Sequence, residues 1–322
     1  MSLTQALDIL PQQLVFGLTL GSIYALLALG YTMVYGILYM INFAHGDVFM
    51  IGSFVGWGVF SVFLGERLMG LGPVVVLPAM MLCAVAVCST VGVSLERFVY
   101  RPLYARGASR LGPLISAIGA SLFLQNFVLV TQGARMKVYD TGSLFPPALG
   151  VQVGTIRLSA LVILIVVTAM IAMLGLDWFV HNTRVGRGMR AVAENRDIAS
   201  LMGVDLNRIV SLTFLIGSAL AGIGGVLVGL YYTQIDFFLG WFAGLKAFTA
   251  AVLGGIGNIR GAMLGGLALG IIESLGVTVL AVTGPTTGFG LAYKDMIAFG
   301  VLIVVLIFRP TGILGERVAE RV

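Results

Sequence analysis

Asn42, His45 and Asp47 fall within six residues of one another, in the stretch Asn42-Phe43-Ala44-His45-Gly46-Asp47. An amide, an imidazole and a carboxylate this close together can hold a cation, pass a proton or line a polar path. Their setting narrows the choice. They interrupt about fifty otherwise apolar residues running from Leu14 to Leu64. A charge near a bilayer centre costs roughly 2.5–3.5 kcal/mol on insertion scales. A polar break at that depth persists only where it faces protein, water or a substrate path.

Other chemistry is missing from the residue order. Gly46 follows His45 and Asn182 follows His181, so no HExxH zinc motif exists. Lys137, Lys246 and Lys294 all lack a preceding glycine, so there is no P-loop GK[ST]. Gly186–Ala191 spells GxGxxA, but no strand precedes it and no βαβ unit surrounds it. No nucleophile–base pair or metal-ligand cluster is apparent, and no catalytic residue is expected. Cys83 and Cys88 share one apolar span on different helix faces and read as packing residues.

The elements that position these residues are membrane helices. Of 322 residues, 59% are hydrophobic and 10% charged, with a mean hydropathy of +1.04. Soluble domains carry about 25% charged residues, so this is an integral membrane protein. Its 44 glycines suit helices packed backbone to backbone. The net charge of +5 reflects cations in loops between spans, not nucleic-acid binding. Apolar stretches run at about 14–41, 48–64, 74–95, 114–131, 158–179, 209–231, 245–256, 261–282 and 296–308. Leu245–Ile256 is short of the ~20 residues a crossing needs. The expected fold is all-α, one transmembrane domain over residues 1–322, with eight or nine crossings.

Orientation follows from the basic loops. Arg97, Arg101, Arg106 and Arg110 form one cluster; Arg184, Arg187, Arg190, Arg196 and Arg208 a second; Arg309, Arg317 and Arg321 a third. All three belong in the cytoplasm by the positive-inside rule. The N-terminus is then outside, and the first cation is Arg67, so no signal-peptide n-region is visible. The outer loop Gln132–Arg157 carries Arg135, Lys137 and Arg157 against the trend. The break at 42–47 holds no cation, which favours a discontinuous helix inside the membrane over an interfacial turn.

A second interruption, Gly254-Gly255-Ile256-Gly257-Asn258, separates two apolar pieces in the other half of the chain. Paired glycine-interrupted segments point to a transporter's central path. Asn42, His45, Asp47, Gly254, Gly255, Gly257 and Asn258 are therefore the candidate path residues. Arg260 beside the second break reads equally as a loop anchor. Glu273 is an intramembrane carboxylate, either functional or neutral and hydrogen-bonded. Gln125 and Asn126 read as interhelical hydrogen-bond glue. The GxxxG pairs Gly52/Gly56, Gly225/Gly229, Gly261/Gly265 and Gly266/Gly270 favour packing inside the subunit over a subunit interface.

The loop at about 183–208 holds RVGRGMRAVAENRDIASLMGVDLNR. Met189, Val192, Ile198, Ala199, Leu201 and Met202 form an interrupted apolar stripe, predicting one amphipathic helix over Met189–Met202. Such a helix lies in lipid headgroups or docks in a groove on a soluble partner.

The run GLTLGSIYALLALGYTMVYGILYMINFAHGDVFMIGSF resembles the permease of branched-chain amino acid ABC importers, the H-type subunit most closely. So do ISAIGASLFLQN, RAVAENRDIASLMGVDLNRI, KAFTAAVLGGIGNIRGAMLGGLALGIIESL and RPTGILG, in order from Gly17 to Gly315. The resemblance implies a bacterial inner-membrane permease paired with a second, homologous permease. It implies two cytoplasmic ATPase subunits that hold ATP and Mg, and a periplasmic substrate-binding protein. No cofactor is expected on this chain itself. The loop at 183–208 stands where the ATPase-coupling loop would be, with Arg190, Ala193, Glu194, Ile198, Leu201, Met202 and Gly203 as its expected contacts. It departs from the widely known EAA pattern, keeping Ala193, Glu194 and Gly203. The alternatives are a permease for urea or short amides, an ion-coupled secondary transporter using Asp47 or Glu273, and a passive channel.

Overall fold

The computed structural model describes residues 3–65, 72–107, 111–145, 150–154, 156–283 and 293–315. Arg67, Arg110, Arg317 and Arg321 lie outside the described residues. Helices α1 (Leu3–Leu38), α2 (His45–Gly65) and α3 (Gly72–Leu95) come first. A π-helical turn at Glu96–Tyr100 and α4 (Arg101–Ala105) extend α3, followed by α5 (Leu111–Gln132). A loop region carries β1 (Lys137–Val138), α6 (Thr141–Leu144), β2 (Gly150–Val153) and β3 (Ile156–Ser159). Then come α7 (Ala160–Asn182), α8 (Arg184–Glu194), α9 (Arg196–Leu201) and α10 (Leu206–Tyr232). β4 (Gln234–Ile235), α11 (Leu239–Gly254), α12 (Ile259–Thr283) and α13 (Lys294–Phe308) are the last of the described elements.

Every apolar stretch read from the sequence becomes a helix. Among the described residues, six helices are long and apolar enough to cross a membrane: 9–38, 73–105, 111–132, 160–182, 206–232 and 259–281. The remaining three apolar helices are α2, whose first turn is polar, and the shorter α11 and α13 of 16 and 15 residues. At 1.5 Å per residue those two reach only about 24 Å, less than the ~30 Å hydrocarbon core.

The core sits where α1, α10 and α12 meet α2, α3 and α11. Small residues set the spacing. A Cβ on Gly266 would lie 2.4 Å from Ala25 Cα, so α1 and α12 run backbone against backbone. A Cβ on Gly52 would lie 2.8 Å from Gly222 Cα, which seats α2 on α10 in the same way. The GxxxG glycines thus pack inside the subunit. Cys88 is buried and its Sγ donates to Val48 O at 3.3 Å, while Cys83 is exposed; both are free thiols.

The basic segments gather at one end of the bundle. Arg196 donates to Ile37 O at the C-terminal end of α1, from Nε at 3.0 Å. Arg101 pairs with Glu96 at 2.8 Å and donates to Ser211 Oγ at 2.7 Å near the start of α10. The tail beyond Arg309 folds under the α11–α12 turn, with Leu314 N donating to Gly254 O at 2.9 Å. Under the positive-inside rule this end is cytoplasmic. At the opposite end, Arg157 N donates to Gln12 Oε1 at 2.8 Å, and Lys137 Nζ sits 4.8 Å from the Trp57 ring centroid. Strand β1 pairs with β4 there, Lys137 opposite Ile235.

Candidate translocation site and coupling surface

The first break is real and deep. Tyr39 adopts a left-handed conformation (φ 54°) and ends α1, and the chain turns back before α2 starts at His45. His45 N donates to Asn42 O at 3.0 Å, and Val48 N to Ala44 O at 3.1 Å, closing the first turn of α2. The imidazole packs where Gly30 of α1 leaves room: a Cβ there would lie 2.0 Å from His45 Nε2. Gly30 is eight residues from the end of α1, so α2 begins roughly 12 Å inside the bundle. Gly46 has the same tightness, since a Cβ on it would meet Gly240 O at 2.3 Å. The break is thus an internal helix start, not an interfacial turn.

Its three polar side chains are enclosed by the subunit, with Asn42 3%, His45 2% and Asp47 1% exposed. Asn42 Oδ1 accepts from the Tyr100 hydroxyl at 2.6 Å. His45 stands edge-on to Tyr31, with ring centroids 5.0 Å apart, and its Nε2 has no hydrogen-bond partner. Asp47 faces α5, where Ser121 and Gln125 act on its carboxylate. The geometry nevertheless leaves Asp47 Oδ1, Ser121 Oγ and Gln125 Nε2 without hydrogen bonds. Asn126, read as interhelical glue, is exposed and its Nδ2 donates back to Leu122 O of its own helix at 2.7 Å.

The second break sits at a different level. Gly255 and Gly257 take φ of 108° and 96°, a region open to glycine, and turn the chain from α11 into α12 at the basic end. Asn258 Oδ1 accepts from Gly261 N at 3.0 Å and caps α12, while its Nδ2 donates to Leu314 O at 2.9 Å. Gly254 packs on Gly261. Arg260 is an anchor: its Nε lies 3.1 Å from Asp177 Oδ1 at the end of α7. The first break is therefore an internal helix start, and the second a tail-braced turn.

The loop at 183–208 forms two helices rather than one. Asn195 leaves helical geometry (φ −158°, ψ 114°) and its side chain accepts from Ile198 N at 3.0 Å, capping α9. The predicted single helix fails there because asparagine competes for backbone hydrogen bonds and favours caps. Met189, Val192 and Ala199 are buried against the bundle. Ile198, Leu201 and Met202 point away from it, 57%, 87% and 79% exposed. Glu194 and Gly203 are exposed too. Arg190 Nη2 donates to His181 O at 3.2 Å, and Tyr39 OH donates to Ala193 O at 2.8 Å. Arg190, Ala193 and Gly257 line a common crevice of about 70 Å³ with Met33 and Gly36 of α1. The 183–208 loop and the second break thus meet beneath α1.

Sequence reasoning missed the partners of Glu273. Its Oε1 lies 2.8 Å from Lys246 Nζ and 3.3 Å from Lys294 Nζ, and Lys246 also reaches Asp295 Oδ1 at 2.6 Å. Lys294 Nζ donates to the Tyr232 hydroxyl at 2.8 Å. The signal was available: Lys246 and Glu273 are lone opposite charges in neighbouring apolar segments.

Residues 13–306 match the family described as branched-chain amino acid transport system, permease component. The chain belongs to this family. It is 50% identical over 319 residues to the high-affinity branched-chain amino acid transport system permease protein BraD of Pseudomonas aeruginosa, covering 97% of both chains. It is 45% identical over 315 residues to the permease protein LivH of Escherichia coli, again covering 97% of both. A weaker match, 30% over 149 residues, joins it to the probable permease protein LivM of Methanocaldococcus jannaschii, over 42% of this chain. The chain is thus a membrane transport permease, and the helices above are its transport scaffold.

Proposed function

We propose that this chain is one permease of an ATP-driven importer for branched-chain amino acids in a bacterial inner membrane. The observation that carries the reading is the apolar tip Ile198–Leu201–Met202 formed by α9 and the residue that caps its C-terminus, at the basic end of the bundle. Large apolar side chains exposed among charges suit docking into a groove of a soluble protein. Two links tie this tip to the transmembrane core: Arg196 to Ile37 O and Tyr39 OH to Ala193 O. A push on α9 therefore reaches the C-terminal end of α1 directly.

Two cytoplasmic ATPase subunits would supply that push, with ATP and Mg bound on them. A second, homologous permease would complete the path, and a periplasmic protein would deliver substrate. The substrate is taken over from BraD and LivH, whose names give branched-chain amino acids. ATP closure would move α8–α9 and rock the two permeases between outward- and inward-facing states. Asn42, His45 and Asp47 would shape the path wall, and the Gly254–Asn258 turn would serve as a brace under it.

Proteoliposomes holding both permeases, both ATPases and loaded binding protein test the reading. ATP-dependent uptake of labelled leucine is expected, with none from permeases alone. Uptake that persists on an ion gradient without the ATPases would overturn it, as would uptake of urea or short amides in place of leucine.

A further inference from the structure

Buried polar atoms without partners are scarce in folded proteins, because each costs about 1–3 kcal/mol. In this permease three of them, among the described residues, converge. Asp47 Oδ1 of α2 and Ser121 Oγ and Gln125 Nε2 of α5 are all buried and without hydrogen bonds. Ser121 and Gln125 are one helical turn apart, and both act on the Asp47 carboxylate. A carboxylate oxygen, a hydroxyl and an amide N–H2 make up one strong acceptor, one group of either kind and one donor. That is the complement of an α-amino acid head group, in which a cationic N–H donor and an anionic carboxylate share one α-carbon.

The surroundings suit the rest of such a molecule. Ala117, Ala120 and Leu124 of α5 belong to the same apolar core as Val48 of α2. They leave an aliphatic side chain in apolar company. On its outer side the place is covered by α5. Ile115, Leu122, Phe123 and Phe127 on the far side of α5 are exposed. The main packing of α5 among the described residues is on α2 and the π-helical turn.

We propose that Asp47, Ser121 and Gln125 form a head-group site for an α-amino acid zwitterion at the α2–α5 seam, reached when α5 moves off α2. The Asp47 carboxylate takes the ammonium, and Gln125 N–H and Ser121 O–H donate to the carboxylate. This rests on the proposed amino-acid import, and it adds Ser121 and Gln125 to the residues that touch substrate.

The test uses the assembled importer in nanodiscs, without binding protein, with and without a non-hydrolysable ATP analogue. Equilibrium binding of tritiated leucine is competed with isocaproate, which lacks the ammonium, and isoamylamine, which lacks the carboxylate. Each competitor is expected to bind about tenfold or more weakly than unlabelled leucine, since each abandons a charged hydrogen bond. Gln125→Leu and Ser121→Ala are each expected to weaken leucine binding about tenfold. Copurification of the second permease and the ATPase subunits reports assembly of each variant. Unchanged leucine affinity in both variants, with a shift only in melting temperature, would overturn the site and leave the trio holding a structural water. Absence of leucine binding to the wild-type assembly in both nucleotide states would overturn it too. Failure of ATP-driven leucine uptake in the wild type would instead sink the importer reading itself.

Discussion

Lys246 Nζ stands 2.8 Å from Glu273 Oε1, joining the α11 and α12 helices through a carboxylate that is fully buried. Lys294 and Asp295, at the start of α13, complete a cluster of two cations and two anions with Tyr24 and Tyr232 beside it. Opposite charges cancel within the cluster, so the buried Lys246 and Glu273 are tolerable away from water only while their partners stay, whereas the Asp295 side chain is half exposed. Lys246→Met leaves Glu273 with Lys294 alone and is expected to cost about 3–5 kcal/mol. The double variant Lys246→Met/Glu273→Leu is expected to recover part of that loss. Thermal melting in detergent reads both, and a single variant as stable as wild type would remove the cluster from the account of stability.

Backbone contact between α1 and α12 makes a sharper contrast. Gly266→Val has no room against Ala25, whereas a Cβ on Gly58 meets nothing within 4 Å. Gly266→Val is expected to abolish folded protein in the membrane fraction and Gly58→Ala to leave its yield unchanged. Fluorescence size-exclusion profiles of tagged protein check the pair.

Removing the apolar tip should separate hydrolysis from transport. Leu201→Asp and Met202→Asp place charges on side chains that touch no core, so insertion is expected to be normal. Copurification of ATPase subunits should drop at least about tenfold, the scale of losing one apolar anchor at an interface. Glu194→Ala is expected to weaken the coupling of ATPase activity to uptake. Wild-type uptake in all three variants would place docking elsewhere.

Tyr100→Phe deletes the hydroxyl that donates to Asn42 Oδ1 at 2.6 Å. A buried amide oxygen is then left unpaired, at a cost of about 1–3 kcal/mol. The break would loosen at its cytoplasmic side, and a lowered melting temperature is the expected reading. Asp47→Ala, in contrast, is expected to impair uptake while leaving ATPase assembly intact.

Much of this architecture is legible in residue order. Hydropathy alone marks the six helices of crossing length, since a bilayer demands about twenty apolar residues per crossing whatever packs beside them. Arginine counts predict which end of the bundle is cytoplasmic, and the basic segments do gather at one end. The glycine pairs declare close helix packing before any partner is known. Other features depend on contacts between residues far apart in the chain. The two breaks share a composition of glycine and asparagine, yet Gly30 admits His45 into the core while Leu314 and Gly315 fold under Gly254 and Gly255. Asn195 divides the 183–208 loop because its side chain caps α9. Glu273 finds Lys246 27 residues away, and Asp47 faces Ser121 and Gln125 on a helix more than 70 residues on. Local patterns record what solvent each segment needs. Which buried polar atoms meet, and which are left for a ligand, follows only from how the helices cross.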